Sequence, residues 1–400
     1  MTANGLRGMG TRLRVGVAIV LIAAMAAACG GGAGGSDEDP IKIGVVLSLT
    51  GVFGPSAKYV REGYEYWAKE VNDAGGIDGR KVELVVRDDQ SKPAVAATLA
   101  RSLVDKDDVF MILGPYGSGA TDTMGAALEQ SQVPMLATIG SDSAIWDRRK
   151  LTWTFQAFPS STYDHEAFLH IAEEKGAKRI TIINEEAGFS VAAAKWASTE
   201  AKKSGLQVQS LSYPSESHDF SSIVQKMKGF KPDAISMGGY YEASVALTKE
   251  MIGAGLDAPG YHFIQAADGV TAEALGEDVD GIIGRSSWEP QLETTKNEEF
   301  TAGYEKQFKR APSYHSAAAY AAGEVAQAAI EAGGTDREKV REFFATKTVD
   351  TVQGTYDVNE KGQQTGYKYV GIQWRGEEKV VIWPDDQATD EVVWPKRKWS

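Results

Sequence analysis

Two clusters of glycine and serine, "GPYGSG" and "TIGSDS", fall within residues 114–145 of the 400-residue chain, separated by one amphipathic run and one short apolar run. Serine hydroxyls and free backbone N–H groups at helix starts both donate hydrogen bonds. The helix end adds positive potential, so two such turns held side by side suit a bound carboxylate. Ser118 and Ser141 are the hydroxyls placed for this task. A cationic end on the same ligand would need a buried acceptor, and Asp268 in "AADGV" stands at the end of an apolar run. Tyr240 in "GGYYEAS" brings a phenol and an aromatic face to another such end. Each residue alone has an ordinary explanation: serines cap helices, Asp before Gly turns the chain, and a tyrosine sits half buried at a strand end. Together they predict a site that grips both charged ends of a zwitterion.

The elements that must position these residues alternate in type. "IKIGVVLSL" reads as a buried strand, "SAKYVREGYEYWAKEVNDAGG" as a helix stopped by glycines, and "KVELVVRDD" as the next strand. "PAVAATLARSLVDK" offers a helix with Pro93 at its start, followed by the strands "VFMILGP" and "VPMLAT" around the helix "GATDTMGAALEQS". Short apolar strands alternating with helices imply a parallel sheet covered on both faces. The rhythm restarts after "TFQAFPSS" with the strands "RITIINE", "LQVQSLSY", "AISMGGY" and "YHFIQAA" and the helices between them. Three further helices and a hairpin-like stretch, "VQGTYDVNEKGQQTGYKYVGIQW", follow. Ligands of open parallel sheets bind outside the carboxyl ends of the strands. That rule selects the loops "TGVFGPS", "PYGSG", "TIGSDS", "EEAGFS", "YYEAS" and "ADGV".

Catalytic patterns are missing. The chain has no HExxH, its five histidines are dispersed, and no phosphate-binding glycine motif follows a strand. Ser118 lacks the first glycine of a G-x-S-x-G elbow. "DVNEKG" at 357–362 begins like a calcium loop, but its twelfth position is Lys368, so it reads as a hairpin turn. The expectation is therefore a binding protein, not an enzyme, with no cofactor and no metal.

Arg7, Arg12 and Arg14 precede the apolar run "VGVAIVLIAAMAAA", which is too short for a mature membrane span and suits a secretory signal over residues 1–28. It ends at Cys29, the sole cysteine, which excludes an internal disulfide and is placed for lipidation, although Ala26 stands where the lipoprotein box usually has Leu. The Gly-rich stretch that follows makes residues 29–40 a tether. Loss of the three arginines would move the net charge from −13 to −16, which argues against a nucleic-acid partner. The remaining length implies about two domains. The expected location is extracytoplasmic, on the outer face of a bacterial cell membrane.

From Ile41 onward the chain resembles the solute-binding proteins of ABC importers for branched-chain amino acids, the leucine/isoleucine/valine-binding family. The likeness is carried by "IKIGVVLSLTG", "NDAGGIDGRKVELVVRDDQ", "ILGPYGSG", "HDFSSIVQKMKGFKPDAISMGGYYEA" and "VDTVQGTYDVNEKGQQTGYKY". It implies an α/β fold of two Rossmann-like, type I periplasmic-binding-protein lobes, each a parallel sheet flanked by helices, joined by three crossover strands. The crossings are expected near Ala157, Ser287 and Thr365. The lobes then comprise residues 41–157 with 288–365 and residues 158–287 with 366–400.

Position by position, the resemblance gives Ser118 the ligand carboxylate, with Tyr116 and Gly117 beside it. Ser141 would touch carboxylate and ammonium, next to Gly140, while the Ile139 carbonyl receives the ammonium. Asp268 would pair with the ammonium and Tyr240 would close the pocket. Where many relatives have Tyr-Gly, this chain has Ala187-Gly188, which removes an aromatic wall. Phe53, Trp146, Tyr241, Tyr314 and His315 are candidates for the side-chain pocket. The implied partners are a small-molecule ligand, an importer permease and the membrane through a lipid anchor, and the implied state is a monomer. Binding of an amide, urea or aromatic acid, or a role as a ligand sensor, stays open alongside amino-acid delivery.

Overall fold

A computed structural model describes residues 39–399 apart from 216 and 218. The signal segment, Cys29 and nearly all of the tether lie outside the described residues. The first half runs β1 (Ile41–Leu47), α1 (Gly54–Asp73), β2 (Val82–Asp88), α2 (Pro93–Asp105), β3 (Met111–Leu113), α3 (Ser118–Ser131), β4 (Met135–Ala137), α4 (Ala144–Arg149) and β5 (Thr154–Gln156). The second begins with α5 (Glu166–Glu174), β6 (Arg179–Glu185), α6 (Gly188–Lys203), β7 (Gln207–Tyr213), α7 (Ser221–Phe230), β8 (Ala234–Gly238), α8 (Tyr241–Gly253), β9 (Gly260–Phe263), α9 (Gly269–Leu275) and β10 (Ile283–Ser286). The chain ends with α10 (Asn297–Phe308), α11 (Tyr314–Gly333), α12 (Arg337–Thr346), β11 (Val349–Thr351), β12 (Gly354–Tyr356), β13 (Val370–Arg375) and β14 (Glu378–Trp383).

β1 is buried except at Lys42, and β8 is buried throughout, as strands covered on both faces must be. One sheet has the order β2-β1-β3-β4-β5 and is parallel at every pairing. The other has the order β14-β13-β10-β9-β8-β6-β7. The expected parallel sheets flanked by helices are present, and the second gains an antiparallel addition at one edge. β13 pairs antiparallel with both β10 and β14; with β14 this follows from the tight turn at Gly376, which returns the chain at once and leaves no room for a crossover helix. The expected hairpin stretch thus splits into two: β11 with β12, and β13 with β14, whose "EKVVIW" the sequence reading did not assign.

Helices from the third portion of the chain return to cover the first sheet. Gly63 of α1 lets α11 approach so closely that a Cβ there would lie 2.2 Å from the Ser316 carbonyl oxygen. Glu62 binds Arg310 and the Tyr304 hydroxyl beside this crossing. The chain passes between the sheets three times, and the passages touch. The Tyr367 hydroxyl lies 2.8 Å from the Ala157 carbonyl oxygen and 2.7 Å from Gln353 Oε1, while Gln353 Nε2 donates to Ser287 Oγ at 2.8 Å. Among the described residues no helix is long and apolar enough to cross a membrane.

Candidate functional site

Loops at the carboxyl ends of both sheets close around a narrow cavity with about 20 Å³ of room, enough for one water. Tyr116, Gly117 and Ser118 arrive after β3, Ile139 and Ser141 after β4, and Phe158 after β5. Phe189 follows β6, Tyr240 follows β8, Gln265 follows β9, Arg285 projects from β10, and Tyr314 and His315 open α11. Larger hollows exist, one of about 930 Å³ lined by Tyr59, Glu273, Arg310 and Trp374. They are not lined by Ser118, Ser141 or Tyr240, so the small cavity is the better candidate.

Gly117 has φ of +85°, a conformation glycine adopts without strain, and it starts α3 so that Ser118 is the first helical residue. The N–H groups of that first turn have no intrahelical acceptor. A Cβ on Gly117 would stand 3.4 Å from the Tyr240 hydroxyl, so the glycine also lets the phenol approach from the opposite sheet. Ser118 Oγ accepts a hydrogen bond from the Asp142 N–H at 3.1 Å, which leaves its own proton free to donate into the cavity. Ser141 is 8% exposed and is held by its carbonyl, which accepts from the Ser161 N–H. Burial pushes the Tyr116 and Tyr240 hydroxyls upward, so both stay protonated and able to donate. This half of the wall can bind a carboxylate.

The expected cationic end is arranged differently from the reading of the sequence. Asp268 is fully buried and does not line the cavity. Its Oδ2 accepts from Ser56 Oγ at 2.6 Å and stands 3.4 Å from His315 Nδ1, and its Oδ1 caps α9 through Val270 N–H. The carboxylate therefore sits one layer behind the wall, with His315 in front. Burial lowers the His315 pKa to about 4 despite the pull of Asp268, so the ring is neutral near pH 7. The acceptors on the wall itself are the Ile139 carbonyl, which already receives the Gly117 N–H at 3.2 Å, and Gln265 Oε1, which is buried without a partner.

Tyr314 and His315 lie on the wall as the sequence reading proposed, and Phe53 packs just outside it, 4.4 Å from the Tyr240 ring and 5.4 Å from the Tyr116 ring. Other candidates lie elsewhere. Trp146 is core, its indole N–H bonded to the Thr154 carbonyl, because α4 turns that face back on β5. Gly140 is behind the wall, where a Cβ would meet Thr121 Oγ1 at 2.4 Å. Ala187 caps α6 off the cavity, and Tyr241 stands off it beside Glu242. Phe189, two residues beyond Ala187, packs 5.1 Å from the Tyr240 ring and supplies an aromatic wall that Ala187 cannot.

Four wall residues escaped the sequence reading: Phe158, Phe189, Gln265 and Arg285. The last had a visible signal, an arginine in the apolar run "GIIGRSS", since a charge in a buried strand demands a partner. That partner is Asp164, whose Oδ1 accepts from Arg285 Nε at 3.0 Å. Burial raises the Asp164 pKa to about 6 against the opposing effect of Arg285. Tyr369, Tyr314 and Phe158 surround the guanidinium, with ring centroids 4.6, 5.4 and 5.8 Å away.

A family model for periplasmic binding proteins matches residues 40–379. A Leu/Ile/Val-binding protein homolog 7 of Brucella suis is 27% identical over 386 residues, spanning 89% of this chain and 94% of its own. A leucine-binding protein from Thermotoga maritima superposes with a TM-score of 0.79 at 25% identity, covering 86% of this chain and 99% of the other. A solute-binding protein of an R. palustris ABC transporter, in complex with benzoate, shares the fold with a TM-score of 0.76 at 17% identity over 86% and 95% of the two chains. With two α/β lobes, three passages between them and a match over most of its length, the chain belongs to the periplasmic binding protein family.

Proposed function

We propose that the protein captures an α-amino acid, branched-chain or related, between its lobes and presents it to the permease of an ABC importer. The lobes would be residues 41–157 with 288–365 and residues 158–287 with 366–400, and Cys29 would carry the lipid that holds the protein on the outer face of the cell membrane. The protein would act as a monomer, by binding and not by catalysis. The observation that carries this reading is the convergence of Ser118 and Ser141 from one sheet and Tyr240 and Gln265 from the other on one cavity. Ser118, Ser141 and the start of α3 would hold the carboxylate. Gln265 and the Ile139 carbonyl would accept from the ammonium, with Asp268 adding negative potential from behind His315. The relatives' names, Leu/Ile/Val-binding and leucine-binding, agree with an amino acid.

The cavity as it stands has room for about one water, so the lobes would part to admit an amino acid and close on it at a wider spacing; ligand favours that arrangement only to the extent that it binds it better than the open one. The test is calorimetric titration of the detergent-solubilised full chain with free L-α-amino acids, their N-acetyl derivatives and their decarboxylated amines. Binding of the free amino acids alone supports the reading. Binding of N-acetyl derivatives at equal strength would remove the ammonium grip.

A second reading is favoured by a specific observation: the wall is built from aromatic rings around a single arginine, it carries no carboxylate, and Asp164 and Asp268 behind it are already engaged. An aromatic acid fits that chemistry, and the R. palustris protein is in complex with benzoate. Benzoate belongs in the same titration.

A further inference from the structure

The Arg285 guanidinium is half used. Asp164 takes its Nε–H, whereas Nη1 is buried with no hydrogen-bond partner and the residue, 5% exposed, lines the cavity. The Tyr314 hydroxyl lies against the same guanidinium and keeps its own proton for a further acceptor, and Gln265 Oε1 is buried and unpartnered. Native interiors rarely leave such atoms unpaired, and a guanidinium fork prefers two parallel bonds to one acceptor group. Ring contacts run from Tyr240 through Phe53 and Tyr116 to His315 and Tyr314. Ser118 and Arg285 thus face the one cavity with these rings beside them.

We propose that the side chain of the bound amino acid ends in a strong hydrogen-bond acceptor, a carboxylate or an amide carbonyl, which takes Arg285 Nη1 and the Tyr314 hydroxyl. This rests on the amino-acid reading above and narrows it. An aliphatic side chain at the same place would leave a buried charged donor unpaired. Sites built to bond a polar group reject analogues that lack it by roughly 100-fold or more.

The experiment is calorimetry on the detergent-solubilised full chain with L-glutamate, L-glutamine, L-leucine, L-norvaline and benzoate, repeated with Arg285→Gln and Arg285→Lys. The expected result is that glutamate or glutamine binds at least about 100-fold tighter than norvaline, and that Arg285→Gln shrinks the ratio to less than about tenfold. Arg285→Lys should keep part of the preference, since it keeps charge without the fork. Leucine or norvaline binding as tightly as glutamate and glutamine overturns the proposal and leaves the amino-acid reading standing. An undiminished ratio in Arg285→Gln overturns it too. If Arg285→Gln fails to fold, the wild-type ratio alone decides. Binding of benzoate with no amino acid bound removes the amino-acid reading, and this proposal with it.

Discussion

Ser118→Ala separates the two jobs of one hydroxyl. In the free protein Ser118 Oγ accepts from the Asp142 N–H at 3.1 Å, and in the complex its proton would donate to the ligand carboxylate. Removing the oxygen strips a buried N–H of its partner, which costs roughly 1–3 kcal/mol of stability, and lowers the unfolding midpoint by a few degrees in a chain of this length. It also removes a charge-assisted hydrogen bond worth roughly 1.5–3 kcal/mol, or about a 10- to 100-fold loss of affinity. Calorimetry with a free amino acid and its C-terminal amide distinguishes the effects. The lost Asp142 contact weakens both ligands alike, whereas the lost carboxylate contact weakens the acid more, so the acid-to-amide ratio should fall in the variant. An acid affinity within about threefold of wild type, with the ratio unchanged, refutes the carboxylate assignment.

Further expectations concern the two-sheet closure, the helix crossing and one buried acid. Ser56→Ala removes the bond that joins α1 to Asp268 and the contact of the same hydroxyl with Tyr116 on the wall, and should weaken ligand binding about tenfold, seen as faster dissociation in stopped-flow measurements. Gly63→Ala forces a Cβ to 2.2 Å from the Ser316 carbonyl and 2.8 Å from the Ala319 Cβ, and should cost roughly 1–3 kcal/mol in urea unfolding. The Glu324 carboxyl is raised to about 7 by burial, against a hydrogen bond from the Val352 N–H. An acid raised in the folded state binds its proton there while the unfolded chain has lost it, so its contribution to stability is complete below its ordinary value near 4.5 and is lost as pH rises through about 7. Glu324→Gln should remove roughly 1–3 kcal/mol of that decline, read from urea midpoints at pH 5 and pH 8.

The alternation of short apolar strands with helices was legible because both faces of each sheet are covered, which forces unbroken apolar runs such as "IKIGVVL". The strand-end rule selects the loops "PYGSG", "TIGSDS" and "YYEAS", whose Ser118, Ser141 and Tyr240 line the cavity, while Tyr116, Gly117 and Ile139 are singled out only by the family resemblance. What stayed hidden depends on side-chain direction. Asp268 and Gln265 sit three residues apart on one loop, and nothing in their order says which faces the cavity and which turns back to cap α9 and meet Ser56. Phe158 reads as one more apolar residue in a crossing segment, and Phe189 as the first turn of an amphipathic helix. Phe158 reaches the cavity beside Tyr314 and Phe189 beside Tyr240, contacts that sequence order does not show. β13 and β14 were blurred for a related reason: an antiparallel addition to a parallel sheet has no helix to mark its end.

The central claim, that this cavity takes a free amino acid between the lobes, meets its most direct test in a thermal-shift screen of the detergent-solubilised full chain against L-amino acids, their N-acetyl and decarboxylated analogues, amides, urea and aromatic acids. A ligand at about 100 times its dissociation constant stabilises the bound state by roughly 2.7 kcal/mol, enough to displace the transition visibly. The account predicts that free L-α-amino acids raise the midpoint while analogues lacking either charged end do not. A rise with aromatic acids, amides or urea and none with any amino acid would contradict it.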